Sequence, residues 1–281
     1  MKTKFYFLCI SLIIVSCNSD LSVDTPYYLE CLECLEMTRP VDSYNFPVYP
    51  GQEAWESFTS SNEMNDALQI PSSFLKNIST QAVIQSIWEH PLLRELFFLG
   101  NGQYQKDFEI LFLNNNAYLE LANRNDAGES LLYRYECVKP FALNSPCFES
   151  KLIELLISQP IFLSQLDMDA KIRIVEIAFN NDNEIQNNSK WSNIARPVTW
   201  LLIARTMFSA DYAPFIETLN GNSELKNFLE GWLPPVESTD NDSEDDLLIS
   251  NEPQGVIYML YKYDDIIIKD IINYGKRFIN K

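Results

Sequence analysis

From Gln52 onward, apolar residues recur at three- and four-residue spacing, the pattern of an α-helix with one buried face. Strict two-residue alternation is scarce. The turn-like dipeptides Asn101-Gly102 and Asn220-Gly221 fall between helical runs, not between strands. Ser60 with Glu63 predicts a capping box ahead of Met64, Ala67 and Leu68, and Pro71 ends that helix. Ser79 predicts the cap of a run holding Ala82, Val83, Ile84, Ile87 and Trp88, bounded by Pro91. Residues 92–99 follow and end at Gly100. Residues 107–121 carry Phe108, Leu111, Phe112, Tyr118 and Leu121, with a break signalled at Asn114, Asn115 and Asn116. Asp126 is placed to cap residues 127–138. Further helices are predicted over 146–158, 168–179, 191–208, 212–219 and 223–232, and the Asn-rich stretch 180–188 reads as a loop. After Pro253 a final helix over 255–275 has an apolar face of Ile257, Leu260, Tyr261, Ile267, Ile268, Ile271 and Ile272. Lys276 and Arg277 stand near the negative end of its dipole.

One set of positions recurs. Phe74, Leu75, Ile78, Ala82, Ile84 and Ile87 reappear 88 positions later as Phe162, Leu163, Leu166, Ala170, Ile172 and Val175. A cap candidate, Ser79 or Asp167, sits between the two helical pieces of each copy. An offset of 88 residues equals two helix-pair units of roughly 40–47 residues. Such pairs bury their faces by stacking on one another. The expected fold class is therefore all-α, built of stacked helical hairpins. A HEAT-like α-solenoid and an irregular helical domain are the two forms it can take.

The first 16 residues have a different pattern. Lys2 and Lys4 precede a mostly apolar run over 5–15, followed by Ile14-Val15-Ser16-Cys17. A charged start, a short apolar run and a small residue before the cut are the parts of an export signal. The run falls short of the about 20 residues that span a bilayer. With a cysteine directly after the small residue, the segment resembles a bacterial lipoprotein signal. That resemblance implies cleavage before Cys17 and a lipid anchor on Cys17, which ties the chain to a membrane. No aspartate directly follows Cys17, since Asn18 stands there, which favours the outer membrane with either face open. Residues 17–50 then read as a lipidated tether. Its end, Tyr44 to Gly51, is extended by Pro47 and Pro50 and aromatic enough to pack on the helical domain of 51–281.

Composition narrows the function. Against 39 acids stand 21 bases, a net charge of −18, which argues against a nucleic-acid partner and favours a basic protein partner. Signal removal would take two lysines and no acid, raising the acid excess further. A single histidine and eight glycines argue against histidine catalysis and glycine-rich phosphate loops. His90, before Pro91, reads as a helix-junction residue instead of a base. Glu120 and Arg124, four positions apart, read as an ion pair on a helix surface or between helices. Trp55, Trp88, Trp191, Trp200 and Trp232 mostly sit among apolar helical neighbours, so core packing is favoured over sugar stacking. No cofactor and no metal site is expected. Cys31 and Cys34 have zinc-like spacing, but Cys137 and Cys147 lie ten positions apart with no histidine near. The favoured pairing is a structural disulfide between Cys137 and Cys147, around Pro140 and Pro146. Residues 233–252 hold seven acids and no base, with Asp240, Asp242, Glu244, Asp245 and Asp246 as a candidate interaction surface. The first three resemble the start of a calcium loop, but Asp245 stands where glycine is needed and Asn251 where a glutamate is needed. A solvated acidic loop is the expected form.

A wider resemblance rests on Tyr44-x-Phe46-Pro47-x-x-Pro50-Gly51-x-x-x-Trp55, on Leu68-x-Ile70-Pro71 with Leu75 and Thr80, and on Asn116-x-x-x-Glu120-Leu121-x-x-Arg124-x-Asp126-Ala127. Over about a third of its length the chain resembles a group of uncharacterised bacterial lipoproteins. The resemblance implies a helical, exported, lipid-anchored protein and brings no catalytic residues. The expected role is a non-catalytic binding or scaffold module of the cell envelope. Two alternatives are an immunity lipoprotein against a toxin and a glycan-binding or glycan-cleaving surface protein.

Overall fold

The computed structural model describes residues 39–92, 108–109, 112–113, 115–138, 148–188, 192–230 and 265–280. Among these residues every regular element is an α-helix. The all-α expectation holds. The helices are α1 (Glu53–Glu56), α2 (Ser61–Ala67), α3 (Ser72–Leu75), α4 (Thr80–Trp88), α5 (Asn116–Ala122), α6 (Ala127–Cys137) and α7 (Phe148–Ile157). They continue with α8 (Pro160–Leu163), α9 (Met168–Asn188), α10 (Ser192–Ser209), α11 (Ala213–Gly221), α12 (Ser223–Leu229) and α13 (Asp265–Phe278).

Local chemistry sets most of the boundaries. The Ser60 hydroxyl accepts from the Glu63 N–H at 3.2 Å, while the Glu63 carboxylate reaches back to the Thr59 N–H at 2.7 Å. Ser79 accepts from the Ala82 N–H at the start of α4. Asn115 accepts from the Ala117 and Tyr118 N–H groups, which makes the asparagine run the cap of α5. Pro160 and Pro214 occupy the first turns of α8 and α11, where a missing N–H is tolerated. α10 ends with Asp211 in the left-handed region at φ 49. There the Tyr212 N–H donates to the Met207 carbonyl and the Asp211 N–H to the Phe208 carbonyl, the two bonds of a Schellman stop. Glycine adopts that backbone conformation without the Cβ clash. Asp211→Gly is therefore expected to stabilise the fold by about 0.5–1 kcal/mol. An increase in urea midpoint at unchanged slope would show it, and an unchanged midpoint would oppose it.

The 88-residue offset corresponds to a repeated local structure. Phe74 and Leu75 lie on α3, Phe162 and Leu163 on α8; Ile78 and Leu166 lie in the following turns. Ser79 caps α4, and Asp167 caps α9 through the Ala170 N–H at 2.8 Å. Leu75 and Leu163, Ile78 and Leu166, Ala82 and Ala170, and Ile87 and Val175 are buried in both copies. Between the copies, α5, a turn and α6 repeat the same layout of shorter helix, turn and longer helix. Packing follows chain order. α4 packs on α5 and α6, and α6 on α7, α8 and α9. α10 in turn packs on α7, α8, α9, α11, α12 and α13. This order is compatible with stacked helical hairpins. α10 is enclosed along its middle, where Val198, Leu201, Leu202, Ile203, Ala204 and Met207 are buried together with Thr199, Arg205 and Thr206. Two glycines permit close approach. A Cβ on Gly128 of α6 would lie 2.8 Å from the Phe162 carbonyl oxygen, and one on Gly275 of α13 would lie 2.8 Å from the Phe179 ring.

Two expectations are corrected. The Asn-rich stretch 180–188 is not a loop; α9 runs on to Asn188. Ile185 is fully buried and Asn181 and Asp182 are nearly so, and this packing outweighs the weak helix propensity of asparagine. Asp126 does not cap α6 with its side chain. Both its carboxylate oxygens instead accept from the Thr80 hydroxyl at 2.9 Å, tying the start of α6 to the start of α4.

Residues 39–50 pack on α4 as an extended segment. Phe46 and Val48 are buried. The Arg39 guanidinium grips the Glu89 carboxylate at 2.6 and 2.8 Å, and Asp42 accepts from the Ser79 N–H at 2.6 Å. The Tyr44 N–H donates to Ser86, and the Tyr44 ring meets Phe46 and Phe74 edge-on.

Candidate functional site

Many of the buried polar groups are held in structural networks. Lys151 and Glu154, three positions apart on α7, are 2% and 0% exposed and form an ion pair at 2.8 Å. The Lys151 ammonium also donates to the Thr199 hydroxyl of α10 at 3.0 Å, and that hydroxyl donates to Glu154 at 2.8 Å. The Tyr135 hydroxyl of α6 donates to the other Glu154 oxygen at 3.1 Å. Burial first, then the Glu154 charge, holds the Tyr135 phenol well above its usual range, so it serves as a donor. Three helices thus share one fully enclosed polar knot.

A second chain of contacts runs from α6 to the N-terminal segment. Arg134 is buried, lies 4.6 Å from the Trp88 ring and donates to Gln85. Gln85 donates to Glu89 at 2.8 Å, and Glu89 holds Arg39, whose pKa the pairing raises. On α9 and α10, Arg196 makes a two-pronged pair with Asp182 at 2.7 and 3.0 Å and lies 4.6 Å from the Trp200 ring. Arg205 donates to the Leu229 carbonyl, and burial lowers its pKa to about 10. Arg124 pairs with Glu120 and donates to the carbonyls of Leu75 and Ile78, so the expected surface pair also closes the α3–α4 turn. His90 is 3% exposed between the rings of Phe46 and Phe112, and its Nδ1 accepts from the Leu92 N–H at 3.3 Å. Burial lowers its pKa to about 4, so the ring is neutral at physiological pH.

Among the described residues, no group of His, Cys, Asp and Glu side chains could hold a metal ion, and no helix is long and apolar enough to cross a membrane. Cys137 sits half-buried at the end of α6. Cys17, Cys147 and the acidic residues Asp240, Asp242, Glu244, Asp245 and Asp246 lie outside the described residues, as do Trp191 and Trp232. Trp88 and Trp200 are core residues, and Trp55 on α1 is half-buried against Phe58.

What the sequence did not single out is that three of the short helices each expose an apolar side chain. Phe74 on α3, Leu119 on α5 and Ile161 on α8 are 36%, 46% and 45% exposed. These helices are neighbours: α3 packs on α5, and Tyr118 of α5 meets Phe162 of α8 edge-on at 6.0 Å. An acid stands at the turn after each short helix, with Asp42 held on Ser79 after α3, Asp126 after α5 and Asp167 after α8. Compared with known protein families, curated proteins and solved structures, the chain matches none.

Proposed function

We propose that this chain is a lipid-anchored cell-envelope protein that binds another protein through the surface formed by α3, α5 and α8. In this reading the stacked hairpins present an extended surface of the HEAT kind, and Cys17 carries the lipid. The observation that carries the reading is that α3, α5 and α8 each expose an apolar side chain, Phe74, Leu119 and Ile161, and that an acid, Asp42, Asp126 or Asp167, is bonded at or beside the turn that follows each. Such a surface is complementary to a segment with apolar anchors on one side and Lys or Arg on the other. The net charge of −18 supports a basic partner by favouring its approach.

Leu119→Asp and Ile161→Asp test it. Both positions are exposed, so each change is expected to alter stability by no more than about 0.5 kcal/mol. Wild-type protein immobilised against envelope extract is expected to retain a basic protein in stoichiometric amount, with retention falling as salt rises. The two variants are expected to lose it at an unchanged melting temperature. Retention unaffected by both substitutions would overturn the reading.

A further inference from the structure

α13 has an exposed face opposite its packed one. Ile267, Ile268, Ile271 and Phe278 are buried, and Gly275 brings the helix against Phe179 of α9 and Ile203 of α10. The opposite side presents Ile266, Lys269, Asn273, Lys276 and Arg277, all exposed. At 3.6 residues per turn these positions fall within an arc of about 100°. Asp270 is half-buried at the edge of that arc.

This face stands out because, among the described residues, positive charge elsewhere is mostly engaged. Arg39 is held by Glu89, Arg124 by Glu120, Lys151 by Glu154, Arg173 by Glu136 and Arg196 by Asp182. Lys171 and Arg205 are tied to main-chain carbonyls, and Arg134 is enclosed beside Trp88. Lys269, Lys276 and Arg277 are all exposed on this face. The Arg277 guanidinium lies 5.8 Å from the Tyr274 ring, and the Tyr274 and Thr218 hydroxyls are 2.6 Å apart, so this part of the face is braced against α11.

We infer that the outward face of α13 docks on an anionic bilayer surface, with headgroup phosphates against Lys269, Lys276 and Arg277. The inference rests on the lipid-anchored reading, which makes a bilayer the nearest extended anionic surface. Each base close to such a surface strengthens binding by about fivefold, so three give on the order of 100-fold. Asp270, at the edge of the arc, offsets part of this attraction.

The test uses the chain from residue 17 with Cys17→Ser, so that no lipid is attached, and sediments it with vesicles. Binding is expected to phosphatidylglycerol-containing vesicles and not to phosphatidylcholine vesicles, and to vanish at high salt. K269E/K276E/R277E is expected to lower the partition coefficient by more than about 100-fold at an unchanged melting temperature. K269Q/K276Q/R277Q provides the same comparison without charge reversal. No preference for the anionic vesicles, or equal binding by both variants, would overturn the inference. Binding to polyglutamate beads as tight as to the vesicles would assign the face to an acidic protein and overturn it equally. Lipidation of Cys17 is read separately by mass spectrometry of the membrane-extracted protein, so loss of either result leaves the other standing.

Discussion

Lys151→Met is expected to destabilise the fold by about 3–5 kcal/mol, because it leaves the Glu154 carboxylate charged and enclosed without its counter-ion. Glu154 is 0% exposed, and its remaining partners, the hydroxyls of Tyr135 and Thr199, are neutral donors. Neither supplies the charge that the ammonium does at 2.8 Å. The double variant Lys151→Met with Glu154→Gln removes both charges and keeps an acceptor for the two hydroxyls. It is expected to be more stable than Lys151→Met alone, since removing one buried charge is worse than removing both. Urea denaturation of the wild type, both single variants and the double variant gives the coupling directly. A loss below about 1 kcal/mol for Lys151→Met would mean that the knot admits water and is not the enclosed unit described here.

Acidification should weaken the protein through one residue in particular. Burial lowers the His90 pKa from 6.5 to about 4. Between those values the unfolded chain binds a proton that the folded chain excludes. The contribution of His90 is therefore complete above pH 6.5 and is lost as pH falls towards 4, reaching about 3 kcal/mol. His90→Phe has nothing to titrate and keeps an aromatic ring between Phe46 and Phe112. Its baseline stability is expected to be lower, because the Leu92 N–H loses its acceptor. Its stability is expected to fall less than that of the wild type between pH 6.5 and 4. Carboxylates titrate in both proteins and cancel in the comparison. Parallel stability curves would rule out a buried neutral imidazole as the source.

Much of this architecture could be read from the sequence wherever local chemistry decides. Ser60 with Glu63, Ser79 and Asp167 are caps written within three residues of what they bond. The two 88-offset copies share four buried positions because both enclose one side of a short helix, a turn and a longer helix, while Phe74 and Phe162 differ in burial. Asp126 was misread because its true partner, Thr80, lies 46 positions earlier. Residues 180–188 look like a loop by propensity and become helix through Ile185 and the Asp182–Arg196 pair, both tertiary effects. Lys151 and Glu154 have the spacing of an ordinary surface pair, and only the surrounding helices make them core. The exposed set of Phe74, Leu119 and Ile161 was hidden for the opposite reason. A single apolar residue on an outward face has no periodicity, and Phe74 recurs in sequence as Phe162, which is buried.

The clasp of residues 39–50 has a mechanical consequence. Any pull on the chain from before Arg39 first meets a side-chain latch on Glu89 and then the Asp42 carboxylate on Ser79. Behind these lie Phe46 and Val48, buried against the body. The load therefore reaches the main-chain ladder of the helices only after two polar latches and two apolar plugs have let go. The segment works as a strain relief, yielding in steps before any helix unravels, with Glu89 at the end of α4 as the first point to take the force.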